Sequence, residues 1–231
     1  MRFAGLIIIS IVLPILTWAQ GSPRFQIGAG PTVNWFYGDL QSEDERIHRP
    51  YAGMNIALQF NSPKLIGPQL NAGFGSYRTQ DRLFDPEIPA GEDVEPNTFA
   101  SSSFFYLDFM LRIRPLKRRL FRPHAGVGIG LFNFNPKNVS GQELVNLPET
   151  RLPTEEYNTT TGVLPLNVGF TWAVNDLVSV GMDYHRHVVF SDYLDNVGEL
   201  GTRDGNDGLN SLQIMVYLTP SYLKRRGRGG R

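Results

Sequence analysis

Eight amphipathic stretches between residues 24 and 220, joined by gaps that run long, short, long, short, predict an all-β fold. The expected form is an eight-stranded antiparallel transmembrane β-barrel of the outer-membrane type, with short periplasmic turns and long extracellular loops. Three observations carry this expectation: period-two alternation of apolar residues, the rhythm of the gaps, and an apolar N-terminal segment. The long gaps are 41–49, 79–98, 137–159 and 191–209, and the short ones 61–67, 116–121 and 174–176. An even strand count puts both mature termini on the periplasmic side.

Taken in order, Met1 and Arg2 precede an apolar run that ends near Leu16, and Thr17-Trp18-Ala19 offers small residues where a signal peptidase reads. Residues 1–19 are therefore expected to be a signal peptide, with the mature chain beginning at Gln20. The run is broken by Pro14 and is too short to favour a retained membrane helix. The chain has no cysteine, which excludes a lipid-anchored lipoprotein and a disulfide-stapled fold. Residues 20–222 are the expected barrel, and 223–231 a basic periplasmic tail.

In strand one, Phe25, Ile27, Ala29, Val33, Trp35 and Tyr37 share a face, and Pro31 interrupts the row in a way that predicts a bulge. Ala52, Met54, Ile56, Leu58 and Phe60 face lipid in strand two, opposite Asn55 and Gln59. Strand three sets Leu70, Ala72 and Phe74 against Asn71, Gly73 and Gly75. Strand four alternates from Ser103 to Ile113 against Tyr106, Asp108, Arg112 and Arg114. Strand five carries Ala125, Val127, Ile129 and Leu131, after which Phe132 and Phe134 predict a second bulge. Strand six runs Leu164, Leu166, Val168, Phe170, Trp172 against Asn167, Gly169 and Thr171. Val178, Val180 and Met182 oppose Ser179, Gly181 and Asp183 in strand seven, and Leu212, Ile214, Val216 and Leu218 oppose Ser211, Gln213, Met215 and Tyr217 in strand eight. Stripes of this length fit strands and no helix. Trp35, Tyr37, Tyr51, Tyr77, Phe134 and Trp172 fall near strand ends, where aromatic girdles sit in membrane barrels.

The 41% hydrophobic content would suit a soluble protein equally well, because a barrel exposes only every second strand residue to lipid. A soluble, lipocalin-like eight-stranded barrel would place apolar residues inside and charges outside. Asp108, Arg112, Asn167, Asp183 and Gln213 on the face opposite the apolar stripe argue against it.

Formal neutrality conceals a segregation of charge. All of the 22 acidic residues except Asp39, Asp108, Asp176 and Asp183 fall in the long gaps. They are either solvated loop residues or carboxylates that bridge through divalent cations to lipopolysaccharide phosphates. Lys117, Arg118, Arg119 and Arg122 crowd the second short turn, and Lys224, Arg225, Arg226 and Arg228 fill the tail. A basic end of this kind suits phospholipid head groups or an acidic periplasmic protein. Nucleic acid is not an expected partner in that compartment.

Gly126-Val127-Gly128-Ile129-Gly130 lacks the spacing and following helix of a nucleotide-binding loop. Glycines alternating on an inward face make room for larger neighbours instead. Asp183, His185 and His187 share one face of strand seven and have the chemistry of a general base or metal ligands, but no nucleophile stands at a matching position. In so narrow a barrel, Asp183 and Asp108 are expected to pair internally with Arg112. No catalytic set, cofactor site or metal centre is expected. Asn138-Val139-Ser140 and Asn158-Thr159-Thr160 match a glycosylation acceptor that has no meaning in a bacterial outer membrane.

Several segments resemble a family of small Bacteroidetes outer-membrane β-barrels that includes PorG of the type IX secretion system. They are Phe36-Tyr37-Gly38-Asp39-Leu40, Leu111-Arg112-Ile113-Arg114-Pro115, Arg122-Pro123-His124-Ala125-Gly126-Val127-Gly128-Ile129-Gly130, Asn133-Phe134-Asn135-Pro136, and Phe190-Ser191-Asp192-Tyr193-Leu194-Asp195-Asn196-Val197. The last is the most specific, and Tyr37, Gly38, Asp39, Asp192, Tyr193 and Asp195 form the motif loops. The resemblance implies a non-enzymatic outer-membrane subunit that anchors the type IX protein secretion machinery. Its implied partners are periplasmic PorK/PorN-like ring proteins, alongside outer-membrane lipid and lipopolysaccharide. Two other readings stand beside it: a small outer-membrane barrel of unrelated structural role, and a lipid-modifying enzyme.

Overall fold

The computed structural model describes residues 24–40, 50–61, 65–116, 120–201 and 205–220. The expected signal peptide, the first long gap, Lys117, Arg118, Arg119 and the basic tail with Lys224, Arg225, Arg226 and Arg228 lie outside these residues.

Eight antiparallel strands close on themselves in chain order: β1 (Arg24–Tyr37), β2 (Tyr51–Asn61), β3 (Ile66–Gln80), β4 (Phe99–Ile113), β5 (Phe121–Lys137), β6 (Thr160–Ala173), β7 (Val178–Val189) and β8 (Gly208–Leu218). Closure pairs β1 with β8, so no strand edge is left open to lipid. The shortest strands have 11 residues, enough for a tilted crossing, and β5, with 17, runs beyond it.

Each strand turns its apolar stripe outward, as Ile56, Phe74, Ile129, Val168 and Ile214 show, all more than half exposed. The opposite face buries Gln26, Asn55, Gln59, Gln69, Asn71, Asp108, Arg112, Asp183 and Gln213. A polar interior inside an apolar belt is the reverse of a lipocalin-like barrel and the arrangement lipid requires. The interior amides bond to each other across strands, as in Asn55 Nδ2 to Gln213 Oε1 at 2.8 Å.

Three sequence expectations are corrected. Pro31 makes no bulge: β1 keeps one register with β2 from Arg24↔Asn61 to Asn34↔Tyr51, and the proline ring sits on the outward face. Its missing N–H interrupts only the pairing with β8, between Ala29↔Val216 and Thr32↔Gln213. Nor does β5 slip, since its register with β4 is continuous from Ile113↔Ala125 to Ser101↔Lys137. Phe132 and Phe134 are simply inward residues of an unbroken alternation. Of the expected girdle, Tyr37 and Trp172 are exposed and Trp35 lies on the same outward face, but Tyr77 and Phe134 are fully buried and Tyr51 packs against the inner cluster.

Those inward rings fill the long-loop half of the barrel. Phe36, Tyr77, Phe104, Tyr106, Phe132 and Phe134 form one cluster with Val163, Val189, Leu194 and Leu209, and Phe36 stacks on Tyr77 at 5.0 Å between centroids. Glycine makes the space. A Cβ at Gly73 would run into the Tyr106 ring, and one at Gly130 into the Asp108 carboxylate, so the Gly126 to Gly130 run is strand packing and no nucleotide loop.

Candidate functional site at the barrel mouth

The aromatic cluster ends in a lid made by the long loops. Leu194, in the segment after β7, drops its side chain into the rings and is fully buried. Its backbone is held from both sides: the amide donates to Asp207 Oδ2 at 2.8 Å, and the carbonyl accepts from the Tyr77 hydroxyl at 2.7 Å. Asp195 then clamps two chain segments, taking the Leu40 amide at 2.9 Å and the Val197 amide at 3.0 Å. Around it Leu40, Ala100, Leu144 and Val197 make a second apolar cluster over the first.

Asn196 joins the loops. Its Nδ2 donates to Asn97 Oδ1 at 2.9 Å and Thr150 Oγ1 at 2.8 Å, while its Oδ1 accepts from the Tyr157 hydroxyl at 2.9 Å. Its φ of 68° is the left-handed conformation that asparagine tolerates better than other side chains. Arg151 gathers the third loop by donating to the carbonyls of Leu144, Val145 and Glu155, each at 3.0 Å. Glu155 returns the bond, accepting from the Glu199 amide at 2.6 Å and the Tyr193 hydroxyl at 3.1 Å, and Tyr193 stacks on Tyr157 at 4.7 Å.

The acidic loops therefore divide. Asp85, Glu87, Glu92 and Glu95 are solvated as expected, but Glu155, Asp195 and Asp207 are buried parts of the lid. Burial, reinforced by the neighbouring carboxylates, pushes Asp192 up to about 6 and Asp195 up to about 7. The same causes hold Asp207 well above the usual carboxylate range. Of the motif residues, Asp39, Asp192, Tyr193 and Asp195 meet in or beside the lid; Gly38 lies under Asp207, and Tyr37 faces outward.

Below the rings lies the charged interior. Arg112 on β4, wholly buried, donates from Nη2 to Asp183 Oδ1 on β7 at 2.9 Å and also contacts His124 and Gln69. Asn167 donates to the same Asp183 oxygen at 3.0 Å. Asp108, expected to share Arg112, pairs instead with His187 at 2.9 Å, so there are two networks and not one. His124 is a member that sequence reasoning missed, because its contact with Asp183 depends on β5 and β7 flanking β6, where both residues lie beside Gly169. A serine was missed as well: Ser211 of β8 is the cross-strand partner of His185. Its hydroxyl donates to Asn34 Oδ1 at 2.8 Å, directed away from the imidazole, and is fully buried. Arg122 stands at the start of β5, half-buried, at the short-turn end.

The model of the outer membrane protein β-barrel domain matches residues 6–218, nearly the whole chain. The chain belongs to this family. Among solved structures, this outer-membrane barrel is similar to Neisserial surface protein A, with 12% identity over 84% of this chain and 96% of that one and a TM-score of 0.52. It is also similar to Ail of Yersinia pestis (8% identity, 85% and 97% covered, TM-score 0.49) and to OprG of Pseudomonas aeruginosa (13%, 85% and 93%, 0.44). No curated protein sequence matches it. At these identities the likeness concerns the fold, and with the family it places the barrel in the bacterial outer membrane.

Proposed function

We propose that this barrel is a non-enzymatic, anchoring subunit of the type IX protein secretion machinery, with its long loops outside the cell and both termini in the periplasm. The observation that carries the reading is closure of the lumen along its length: the Arg112–Asp183 ion pair and the Asp108–His187 contact, aromatic rings above them, and the lid at the mouth. A filled eight-stranded barrel conducts no protein, so a part in secretion is one of holding other components in place. Asp183, His185, His187 and Ser211 are sealed from substrate, which supports a non-enzymatic role. The link to secretion comes from the motif resemblance, whose most specific segment, residues 190–197, builds the lid.

Docking belongs to the basic short-turn end. Lys117, Arg118, Arg119 and Arg122 share that side with the tail bearing Lys224, Arg225, Arg226 and Arg228, and PorK/PorN-like ring proteins are the proposed partners. The guanidinium groups of the Arg/Gly-rich tail suit a negative partner, by charge-assisted bonds that salt weakens. Changing Lys117, Arg118 and Arg119 to Ser and deleting residues 223–231 is expected to leave the barrel inserted but release the periplasmic ring proteins. Co-purification from outer membranes at equal barrel abundance reads this. Undiminished co-purification would reassign the basic end to phospholipid head groups and leave a barrel of unrelated structural role.

Orientation has its own test. Gly91, with φ +99° and open space around it, sits in the exposed loop between β3 and β4 and accepts an inserted tag. The tag is expected to be labelled on intact cells, with the barrel retaining heat-modifiable gel migration. Labelling only after permeabilisation would invert the topology.

A further inference from the structure

Three carboxylates in the lid come from places that the barrel alone makes adjacent. Asp39 follows the end of β1, Asp192 follows β7, and Asp207 directly precedes β8; these three strands are consecutive neighbours around the closed sheet. One oxygen from each lies within 4.8 Å of the other two. That is the span of oxygens around a calcium ion, whose ligands stand at about 2.3–2.6 Å, so that two on opposite sides are roughly 5 Å apart.

A cluster of acids alone would say little, but two oxygens here point to a missing partner. Asp207 is 1% exposed; its Oδ2 is occupied by the Leu194 amide, while its Oδ1 has no hydrogen-bond partner among the described residues. Asp192 Oδ1 is likewise buried and unpartnered among them. Asp207 Oδ1 is directed over Gly38, where any Cβ would strike it, toward the residue that carries the next carboxylate, Asp39. Gly201 in turn leaves room for Asp39, whose Oδ2 lies 2.6 Å from where a Cβ at Gly201 would be. Both glycines keep space open beside the carboxylates. Asp195, by contrast, spends its two oxygens on the Leu40 and Val197 amides and is not left with one to offer.

We propose that Asp39, Asp192 and Asp207 form a calcium site that clamps the lid to the barrel rim. Carboxylate oxygens are hard ligands, and three of them on separate chain segments suit the adaptable coordination of calcium better than the strict octahedron of magnesium. The ion ties the end of β1, the segment leading to Leu194 and the start of β8, and so holds Leu194 in the aromatic rings. Residues 190–197, singled out by motif alone, thereby acquire a chemical role in which Asp192 ligates the ion while Asp195 orders the turn. This inference rests on the fold and stands whether or not the barrel serves secretion.

The test uses the full folded barrel in detergent, stripped of metal with chelator. Terbium, a calcium surrogate, is expected to luminesce by transfer from Tyr193, the residue next to Asp192, and calcium is expected to displace it with a Kd on the order of 10⁻⁴–10⁻³ M, as in extracellular modules. Asp192→Asn, at a half-buried position, is expected to weaken binding by about tenfold or more while heat-modifiable migration confirms the barrel, because each lost charge lowers affinity steeply. Asp207→Asn is expected to do the same, and Glu87→Gln on the exposed second loop to change nothing. Calcium is also expected to protect residues 190–201 from proteolysis in the wild-type barrel. Absence of terbium binding, binding unaffected by Asp192→Asn, or displacement by magnesium as readily as by calcium would overturn the proposal.

Discussion

Replacing Arg112 with Met is expected to lower the stability of the barrel by about 3–5 kcal/mol, the usual penalty for stranding one member of a buried ion pair. Arg112 and Asp183 are both sealed inside the barrel, and the guanidinium faces the Asp183 carboxylate at 2.9 Å while reaching Gln59 at 3.4 Å. Methionine matches the length of the arginine stem but takes the guanidinium from Asp183, whose other polar contacts include His124 and Asn167. The double change Arg112→Met with Asp183→Asn is expected to recover much of the loss, since removing both charges also removes their desolvation cost. Urea unfolding in lipid vesicles, followed by heat-modifiable migration, measures both. A single variant within about 0.5 kcal/mol of wild type, the range of ordinary surface changes, would show that the pair bears no such weight.

Asn196→Ala is expected to open the lid and leave the barrel standing. The substitution removes the bonds to Asn97, Thr150 and Tyr157, which tie three loops together, and forces alanine into a φ of 68°. The left-handed backbone costs alanine about 1–2 kcal/mol, and each lost bond about 1 kcal/mol net. A local penalty of about 4–5 kcal/mol follows, equal to exchange of the Leu194 and Val197 amides speeding up by about 900- to 5,000-fold. Those two amides are the sensitive ones because they donate to the Asp207 and Asp195 carboxylates within the lid. Asn196→Gly separates the contributions: it relieves the backbone but not the lost bonds, so it is expected to fall between wild type and alanine. Alanine and glycine behaving alike would mean that the backbone conformation carries none of the penalty.

The membrane-spanning architecture was legible because a pleated strand points successive side chains to opposite faces whatever surrounds it. Leu164 to Trp172 and Leu212 to Leu218 announce their lipid face without reference to any other strand, and the long–short rhythm of the gaps sets the hairpin order. Errors arose where a change of chemistry looked like a change of geometry. Phe132 and Phe134 read as a slip because the apolar residues pass from odd positions to even ones after Leu131, yet the alternation of faces is unbroken and the rings point inward. There they join Phe104 and Tyr106 of β4, for whose rings Gly75 and Gly73 on β3 leave the room.

Local pattern along the chain was thus enough to set the alternation, the strand count, the outward apolar belt and the polar character of the interior. Partnership inside the barrel was decided only on closure. Asp108 turns to His187 and leaves Arg112 to Asp183 because β4 and β7 face each other across the lumen, a relation that no spacing along the chain encodes. The lid is more distant still from local rules: Leu40 meets Asp195 across 155 residues, and Asp39, Asp192 and Asp207 converge because β7, β8 and β1 are neighbours in a closed sheet. In the sequence these acids look like solvated loop residues, since exposure of a loop carboxylate depends on what the other loops pack against it, and that packing exists only in the folded barrel.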